Sequence, residues 1–177
     1  TVNVAAKSTQ TIKVEYTVTD ADIAAGNDIV MAAKVSGAGM AALNLKADPV
    51  SPFNPSSSFD VSMTLAAESA ATTYFSAGDE VFFDVYVRND TDDALSNLTV
   101  TQELAGATFV AGEGYTVSDD GTVATIDTIG GEDIVVLKAK YTVTDDDVAA
   151  SERMTNVAVA SFAGATKKSE PVNFYPE

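Results

Sequence analysis

The sequence predicts an all-β protein that folds as an antiparallel β-sandwich, with one complete copy of a repeat preceded by a partial copy. Three observations lead to this fold class. Apolar and polar residues alternate along most segments, which is the period of a half-buried strand. Clusters of Gly, Asp, Asn and Ser separate these segments at short intervals. The phrase YTVTDADIAAG, from Tyr16 to Gly26, returns as YTVTDDDVAAS, from Tyr141 to Ser151, with three changes.

The composition limits the function. Twenty-six acidic residues against ten basic ones give a net charge of −16, which disfavours nucleic acid and anionic membrane surfaces as partners. The absence of cysteine and histidine excludes a disulfide framework, a thiolate nucleophile and a histidine base. No apolar run is long enough to span a membrane, so we expect no membrane insertion in this segment. The start TVNVAAKSTQ has no initiator Met and no signal peptide, and we expect a processed or partial chain.

The partial copy is expected at residues 1–50. In TIKVEYTVT the apolar face consists of Ile12, Val14, Tyr16 and Val18. Thr19 precedes Asp22 by three residues, as Thr144 precedes Asp147, and this spacing predicts a capped helical turn after the strand. A final strand is expected near IVMAAKVSG. Such a hairpin is marginal by itself in water, so its partner strands are expected from a preceding copy or from another chain.

The complete copy is expected at residues 58–177, after a Pro/Ser linker at 51–57. The prolines of PVSPFNPSSS resist both helix and central strand. Seven strand candidates follow between Phe59 and Phe162, about the number in an immunoglobulin-like sandwich. Six segments carry the pattern most clearly: FDVSMTL, EVFFDVYVRN, NLTVTQEL, GTVATIDT, DIVVLKAKYTVT and MTNVAVASFAG. The terminal PVNFYPE is expected to be a linker, or a strand that pairs with a neighbouring chain.

The segments SAGDEVFFDVYVRNDTDDALSNLTVTQEL and IDTIGGEDIVVLKAKYTVTDDDVAASERMTNVAVASFAG resemble the conserved-repeat domains of bacterial and archaeal cell-surface proteins. The features that match are Gly78-Asp79, Asn89, Gly131, Tyr141–Thr144 and Thr155-Asn156. The resemblance covers about 59–165 and, in part, 9–36. It implies an immunoglobulin-like sandwich in tandem array, located outside the cell at its surface and serving as a stalk, adhesin or pilus module.

Some members of that family form an isopeptide bond between a lysine on the first strand and an asparagine on the last. Asn156 stands at the asparagine position, but the first strand has Met63 where the lysine would be. The bond is therefore not expected in the complete copy.

Acidic loops are candidates for calcium, which takes six to eight oxygen ligands from carboxylates and carbonyls. NDTDD contributes Asp90, Asp92 and Asp93, and TDDD contributes Asp145 and Asp147. The alternative is a solvated acidic loop with a helix cap, and no segment has the EF-hand spacing. No other cofactor is expected.

Two asparagines match the glycosylation acceptor pattern. They are Asn89, in Asn-Asp-Thr, and Asn97, in Asn-Leu-Thr. Both lie beside the polar turn between two strands, where a glycan is sterically feasible.

These observations predict a structural or adhesive extracellular module whose partners are neighbouring repeats or subunits of the same protein. Assembly by strand exchange between subunits is the sharper form of this hypothesis. The alternative is a domain that binds carbohydrate or a host protein, and an exposed aromatic cluster near 109–118 would favour it. A carbohydrate-active enzyme needs two facing carboxylates in a cleft, and we expect no enzyme because histidine, cysteine and a nucleophile motif are all missing.

Overall fold

A computed structural model describes residues 2–177 and divides the chain into two units, the first ending at Asn54 and the second spanning Pro55–Glu177. This boundary falls within the segment for which the sequence predicts a linker. The N-terminal unit contains α1 (Asp20–Ala25), β1 (Ala32–Val35) and β2 (Leu43–Lys46). The two strands form an antiparallel hairpin in which every residue is exposed.

The C-terminal unit begins with a short 3-10 helix at Pro55–Ser57. Its further elements, in chain order, are β3 (Phe59–Leu65), α2 (Ala67–Ala70), β4 (Glu80–Asn89), β5 (Leu95–Gln102), β6 (Thr108–Val110), β7 (Thr116–Val117), β8 (Ala124–Ile129), β9 (Ile134–Thr142), α3 (Asp145–Ala150), β10 (Met154–Asn156), β11 (Ala158–Phe162), β12 (Ala165–Lys168) and β13 (Val172–Phe174).

Two antiparallel sheets face each other in the C-terminal unit. One has the strand order β3-β4-β9-β6 and the other the order β12-β11-β5-β8-β7. Alternate residues of each sheet point inward to a single hydrophobic cluster, for example Val85 from the first sheet and Leu98 and Ile126 from the second. Burial of each such side chain stabilises the fold by roughly 1.5–3 kcal/mol. The predicted all-β, immunoglobulin-like sandwich is confirmed.

The last residues of the chain belong to this core, which corrects the expectation of a linker or a strand for a neighbouring chain. Strand β13 pairs with β10, from Met154↔Phe174 to Asn156↔Val172. The ring of Phe174 is buried and lies 6.0 Å from that of Phe75 and 5.9 Å from that of Phe83, measured between centroids. The sequence does not predict this strand, because only three of its residues pair and so short a segment shows no clear alternation.

The predicted N-terminal strand is present as an alternating sequence but not as a paired strand. Residues 11–19 have no sheet partner within residues 2–177. A strand needs neighbours to satisfy its backbone N–H and C=O groups, and the N-terminal unit supplies only the β1–β2 hairpin. No helix in the described part of the chain is long and apolar enough to cross a membrane.

Candidate functional site

The repeated phrase forms a capped helix at the end of β9. The Asp147 carboxylate accepts hydrogen bonds from the Thr144 backbone N–H (2.8 Å) and the Thr144 hydroxyl (2.7 Å). The Thr144 hydroxyl accepts in turn from the Asp147 backbone N–H at 3.2 Å, which completes the predicted capping box. Tyr141 donates to the same carboxylate at 2.7 Å. Ser151 ends the helix in a left-handed conformation, with φ of 50°.

The N-terminal copy has the same local structure. Thr19 donates to Asp22 at 2.8 Å through its backbone N–H and at 2.7 Å through its hydroxyl. Tyr16 donates to the same carboxylate at 2.8 Å, and Gly26 ends α1 with φ of 62°. The bonds match those of the second copy because capping depends only on residues close in sequence.

The two hairpins also have the same register. The β1–β2 pair Ala32↔Lys46 stands where β11 and β12 have Val159↔Lys168, and the three following pairs remain in step. Each hairpin is followed by a backbone hydrogen bond of 2.9 Å, from Ala47 to Met31 and from Ser169 to Ala158. The N-terminal unit therefore reproduces the last third of the complete repeat.

Burial separates the two copies. The apolar face of β9 and the residue after it are enclosed: Leu137 0%, Ala139 0%, Tyr141 7% and Val143 2% exposed. The residues at the same positions of the first copy are open: Ile12 64%, Val14 66%, Tyr16 53% and Val18 44% exposed. An alternating apolar face of this extent in contact with water is typical of an interaction surface. We call residues 9–18 the open strand.

The missing neighbours explain this exposure. Strand β9 is hydrogen-bonded to β4 on one side and to β6 on the other, and β11 is bonded to β5 as well as to β12. Neither the open strand nor the outer edge of β1 has such a partner in the described residues. An open groove of about 510 Å³ beside Ile12 and Val35, and another of about 260 Å³ beside Val14 and Leu45, lie along these unpaired elements.

The acidic calcium candidates lie in two separate places. Asp90, Asp92 and Asp93 follow the end of β4, and Asp145 and Asp147 follow the end of β9. Because β4 and β9 are antiparallel, with full pairing along both, the two groups lie at opposite ends of this strand pair. Residues 2–177 contain no group of three or more acidic side chains placed to hold a metal. Calcium binding by either loop stays a prediction.

Some of these acids already have partners. Asp90 forms an ion pair of 2.6 Å with Arg88, and Asp147 is the third helical residue of α3, whose side chain completes the capping box with Thr144. Partial burial opposes the ionisation of Asp147, but the hydrogen bonds from Tyr141 and Thr144 outweigh it and lower the pKa of this carboxyl group. The carboxylate is therefore held in its charged form by the chain itself.

The glycosylation candidates differ in accessibility. Asn89 is buried, and its Nδ2 donates to the carbonyl oxygens of Asp93 (2.7 Å), Ile129 (3.3 Å) and Gly130 (2.9 Å). A glycan on this nitrogen would displace those bonds. Asn97 is exposed within β5, where it has a left-handed backbone conformation with φ of 61°. Glycosylation of either asparagine stays a prediction.

Asn156 and Met63 are both buried. The Asn156 side chain donates to Gln102 at 2.5 Å and accepts from the backbone N–H of Val157 at 2.9 Å. Met63 packs in the hydrophobic core. Gln102 therefore orients Asn156, the asparagine at the position that the family resemblance indicates. No sequence pattern predicts this role of Gln102.

The aromatic residues near 109–118 lie inside the sandwich. Phe109 and Tyr115 are both buried in the core cluster. Tyr115 donates its hydroxyl proton to the carbonyl of Val110 at 2.7 Å and accepts from the backbone N–H of Lys138 at 3.2 Å. They form no exposed platform of the kind that would favour carbohydrate binding.

Comparison with solved structures defines the class of fold. The chain is similar to the full-length major pilin SpaD from Corynebacterium diphtheriae, with a TM-score of 0.50 and 18% identity, covering 66% of this chain and 34% of that one. It is also similar to BcpA, the major pilin subunit of Bacillus cereus, with a TM-score of 0.50 and 13% identity, covering 85% and 48%. The chain thus spans about a third and about half of these pilins. At such identities the likeness shows the fold alone, an immunoglobulin-like β-sandwich.

No family model matches the sequence, and no curated protein matches it either.

Proposed function

We propose that this chain is a structural module of an extracellular, cell-surface stalk, adhesin or filament, in which the N-terminal unit pairs with strands of a neighbouring repeat or subunit. The observation that supports this most directly is the open strand. Ile12, Val14 and Tyr16 expose side chains whose equivalents in β9 are enclosed. Unpaired backbone groups beside an alternating apolar face are a template for strand addition.

The C-terminal unit is suited to a load-bearing role. Its longest ladder joins β4 to β9 from Glu80↔Thr142 to Arg88↔Ile134. The chain has no cysteine, so these hydrogen bonds and the core between the sheets resist extension without a disulfide. The fold of the pilins SpaD and BcpA is of the same class, which supports a structural role.

The experiment that tests this function supplies the missing strands. A second copy of residues 58–133 is inserted between Ser8 and Thr9 of the full chain, because residue 133 precedes Ile134 and Thr9 holds the position equivalent to Ile134. We expect the backbone amides of the open strand to become protected from hydrogen exchange, and a second cooperative unfolding unit to appear.

Two variants of the open strand serve as matched probes in this extended chain. Val14→Lys places a charge on the apolar face and is expected to abolish the protection, whereas Thr17→Lys alters the opposite face and is expected to retain it. Open-strand amides that exchange as fast in the extended chain as in the unmodified one would contradict the proposed pairing.

A further inference from the structure

The two strands that flank β9, β4 and β6, define which side chains a partner of the open strand must carry. In the C-terminal unit, Ala139 stands opposite Phe83 of β4 and Phe109 of β6, and all three are buried. On the outer face, Lys140 forms an ion pair of 2.5 Å with Glu80. These contacts occur at fixed register positions, so the same positions of the open strand face the same positions of its partner.

Charge at one of these positions is reversed in the N-terminal copy. Glu15 occupies the position of Lys140, whereas Lys13 retains the charge of Lys138. Against a strand with the sequence of β4, Glu15 would meet Glu80, and like charges at neighbouring positions of a sheet are destabilising. Glu15 now pairs at 3.1 Å with Lys13 of its own strand, and both side chains are largely exposed.

Side-chain volume differs at the adjacent position. Val14 occupies the position of Ala139, whose methyl group lies between the strands that bear Phe83 and Phe109. Valine carries two more side-chain carbons than alanine, and Ala139 is fully buried, so the added volume overpacks a close-packed core, which is destabilising. The open strand therefore fits its own chain's strands poorly on both of its faces.

A second copy of the C-terminal unit is a poor partner for a further reason. Its position between β4 and β6 is already occupied by its own β9, which is paired along both edges. Insertion of the open strand would require expulsion of a strand with a matched core face and a matched ion pair.

We propose that the N-terminal unit is completed by a repeat different in sequence from residues 58–177: a set of strands equivalent to β3–β8 with a basic residue at the position of Glu80 and a smaller side chain at the position of Phe83 or Phe109. This inference rests on the proposed function and identifies the partner of the same surface. The open strand then lies between the equivalents of β4 and β6, with Glu15 diagonal to the cation, as Lys140 is to Glu80, and Val14 in the added space.

The test uses the full chain that contains residues 58–133 inserted between Ser8 and Thr9, in two forms. One insert has the chain's own sequence, and the other has Glu80→Lys. We expect hydrogen exchange of the open-strand amides to be roughly twofold to tenfold slower with the lysine insert, the range for exchanging a repulsive pair for an attractive one at a partly exposed site. The difference is expected to vanish at about 1 M salt, where the screening length is about 3 Å.

A reciprocal variant excludes a general effect of the inserted lysine. With the insert of unaltered sequence, Glu15→Lys is expected to slow the exchange of the open-strand amides further. With the lysine insert, the same substitution is expected to speed it. A third insert with both Glu80→Lys and Phe83→Leu is expected to give the slowest exchange, because it also accommodates Val14.

The outcomes separate this inference from the proposed function. Equal protection with both inserts overturns the assignment of the partner but leaves strand pairing intact. If none of the inserts protects the open-strand amides, both the assignment of the partner and the proposed strand pairing are overturned. Light scattering on the unmodified chain is expected to show a monomer at all concentrations, and oligomers that Val14→Lys abolishes would overturn the inference that the partner differs from the C-terminal unit.

Discussion

Tyr141 donates a 2.7 Å hydrogen bond to Asp147, and this bond ties the end of β9 to the first turn of α3. The first copy repeats the bond between Tyr16 and Asp22 at 2.8 Å, on an exposed surface. The repeat thus provides an internal control: the same local chemistry occurs once inside a folded sandwich and once without its neighbouring strands.

The phenol of Tyr141 is expected to ionise far above its usual range. Burial, followed by the hydrogen bond to the charged Asp147, raises its pKa from 10.0 to about 12. The folded protein favours the neutral phenol, so this contribution to stability is present below pH 10 and is lost as the pH rises through about 12.

Difference absorbance of the phenolate, comparing the wild-type chain with Tyr141→Phe, measures this titration. Asp147→Asn is expected to move the midpoint of Tyr141 toward 10, because the negative charge beside the phenol is removed. A midpoint near 10 in the wild-type chain would contradict the buried hydrogen bond.

Asp147→Asn is expected to lower the free energy of unfolding of the C-terminal unit by about 1–2 kcal/mol near neutral pH, since it weakens both the helix cap and the bond from Tyr141. The folded pKa of Asp147 is depressed below 3.8. Its stabilisation is therefore present above that pH and is lost as the pH falls through the folded value. Urea unfolding between pH 7 and pH 2 is expected to show a shallower acid dependence in the variant.

Asp22→Asn is the matched control for Asp147→Asn. It removes the same set of hydrogen bonds from the N-terminal unit, and is expected to leave the unfolding of residues 55–177 unchanged. An equal loss of stability in both variants would mean that the two units unfold together.

Leu137→Ala is expected to destabilise the C-terminal unit by about 2–5 kcal/mol, because the side chain is fully enclosed between the sheets. Ile12→Ala, at the equivalent position of the open strand, is expected to change the same unfolding transition by less than about 0.5 kcal/mol. Chemical denaturation followed by circular dichroism measures both. A large effect of Ile12→Ala on that transition would show that its side chain packs in the folded sandwich.

Asn89→Ala is expected to lower the free energy of unfolding by about 2–4 kcal/mol. The Asn89 amide donates to carbonyl oxygens that would have no donor in the variant. Asn97→Gly removes the other glycosylation candidate at an exposed position with φ of 61°, a conformation that glycine adopts readily, and is expected to change stability by less than about 0.5 kcal/mol. Thermal unfolding of the two variants makes the comparison, and equal stability would rule out a structural role for Asn89.

Local features of the fold were predictable from the sequence. The capping boxes at Thr19 and Thr144 depend on residues three positions apart, so the spacing alone predicts them. The alternation in EVFFDVYVRN predicts the inward face of β4 for the same reason, because the period of two is a property of a single strand.

Long-range features were not predictable in this way. The packing of Phe174 against Phe75 and Phe83 joins residues far apart in sequence, and nothing in PVNFYPE distinguishes a core strand from a linker. The burial of Asn89 likewise depends on the loop that contains Gly130, about forty residues later.

The sequence by itself determined the fold class, the repeat and the local conformation of each copy, because periodicity and capping are set by near neighbours along the chain. Only the tertiary structure decided that Leu137 is enclosed while Ile12, at the same position of the repeat, is open. A sequence pattern specifies which face of a strand is apolar. Whether that face is buried depends on the strands that pair beside it, and the open strand has none in the described chain.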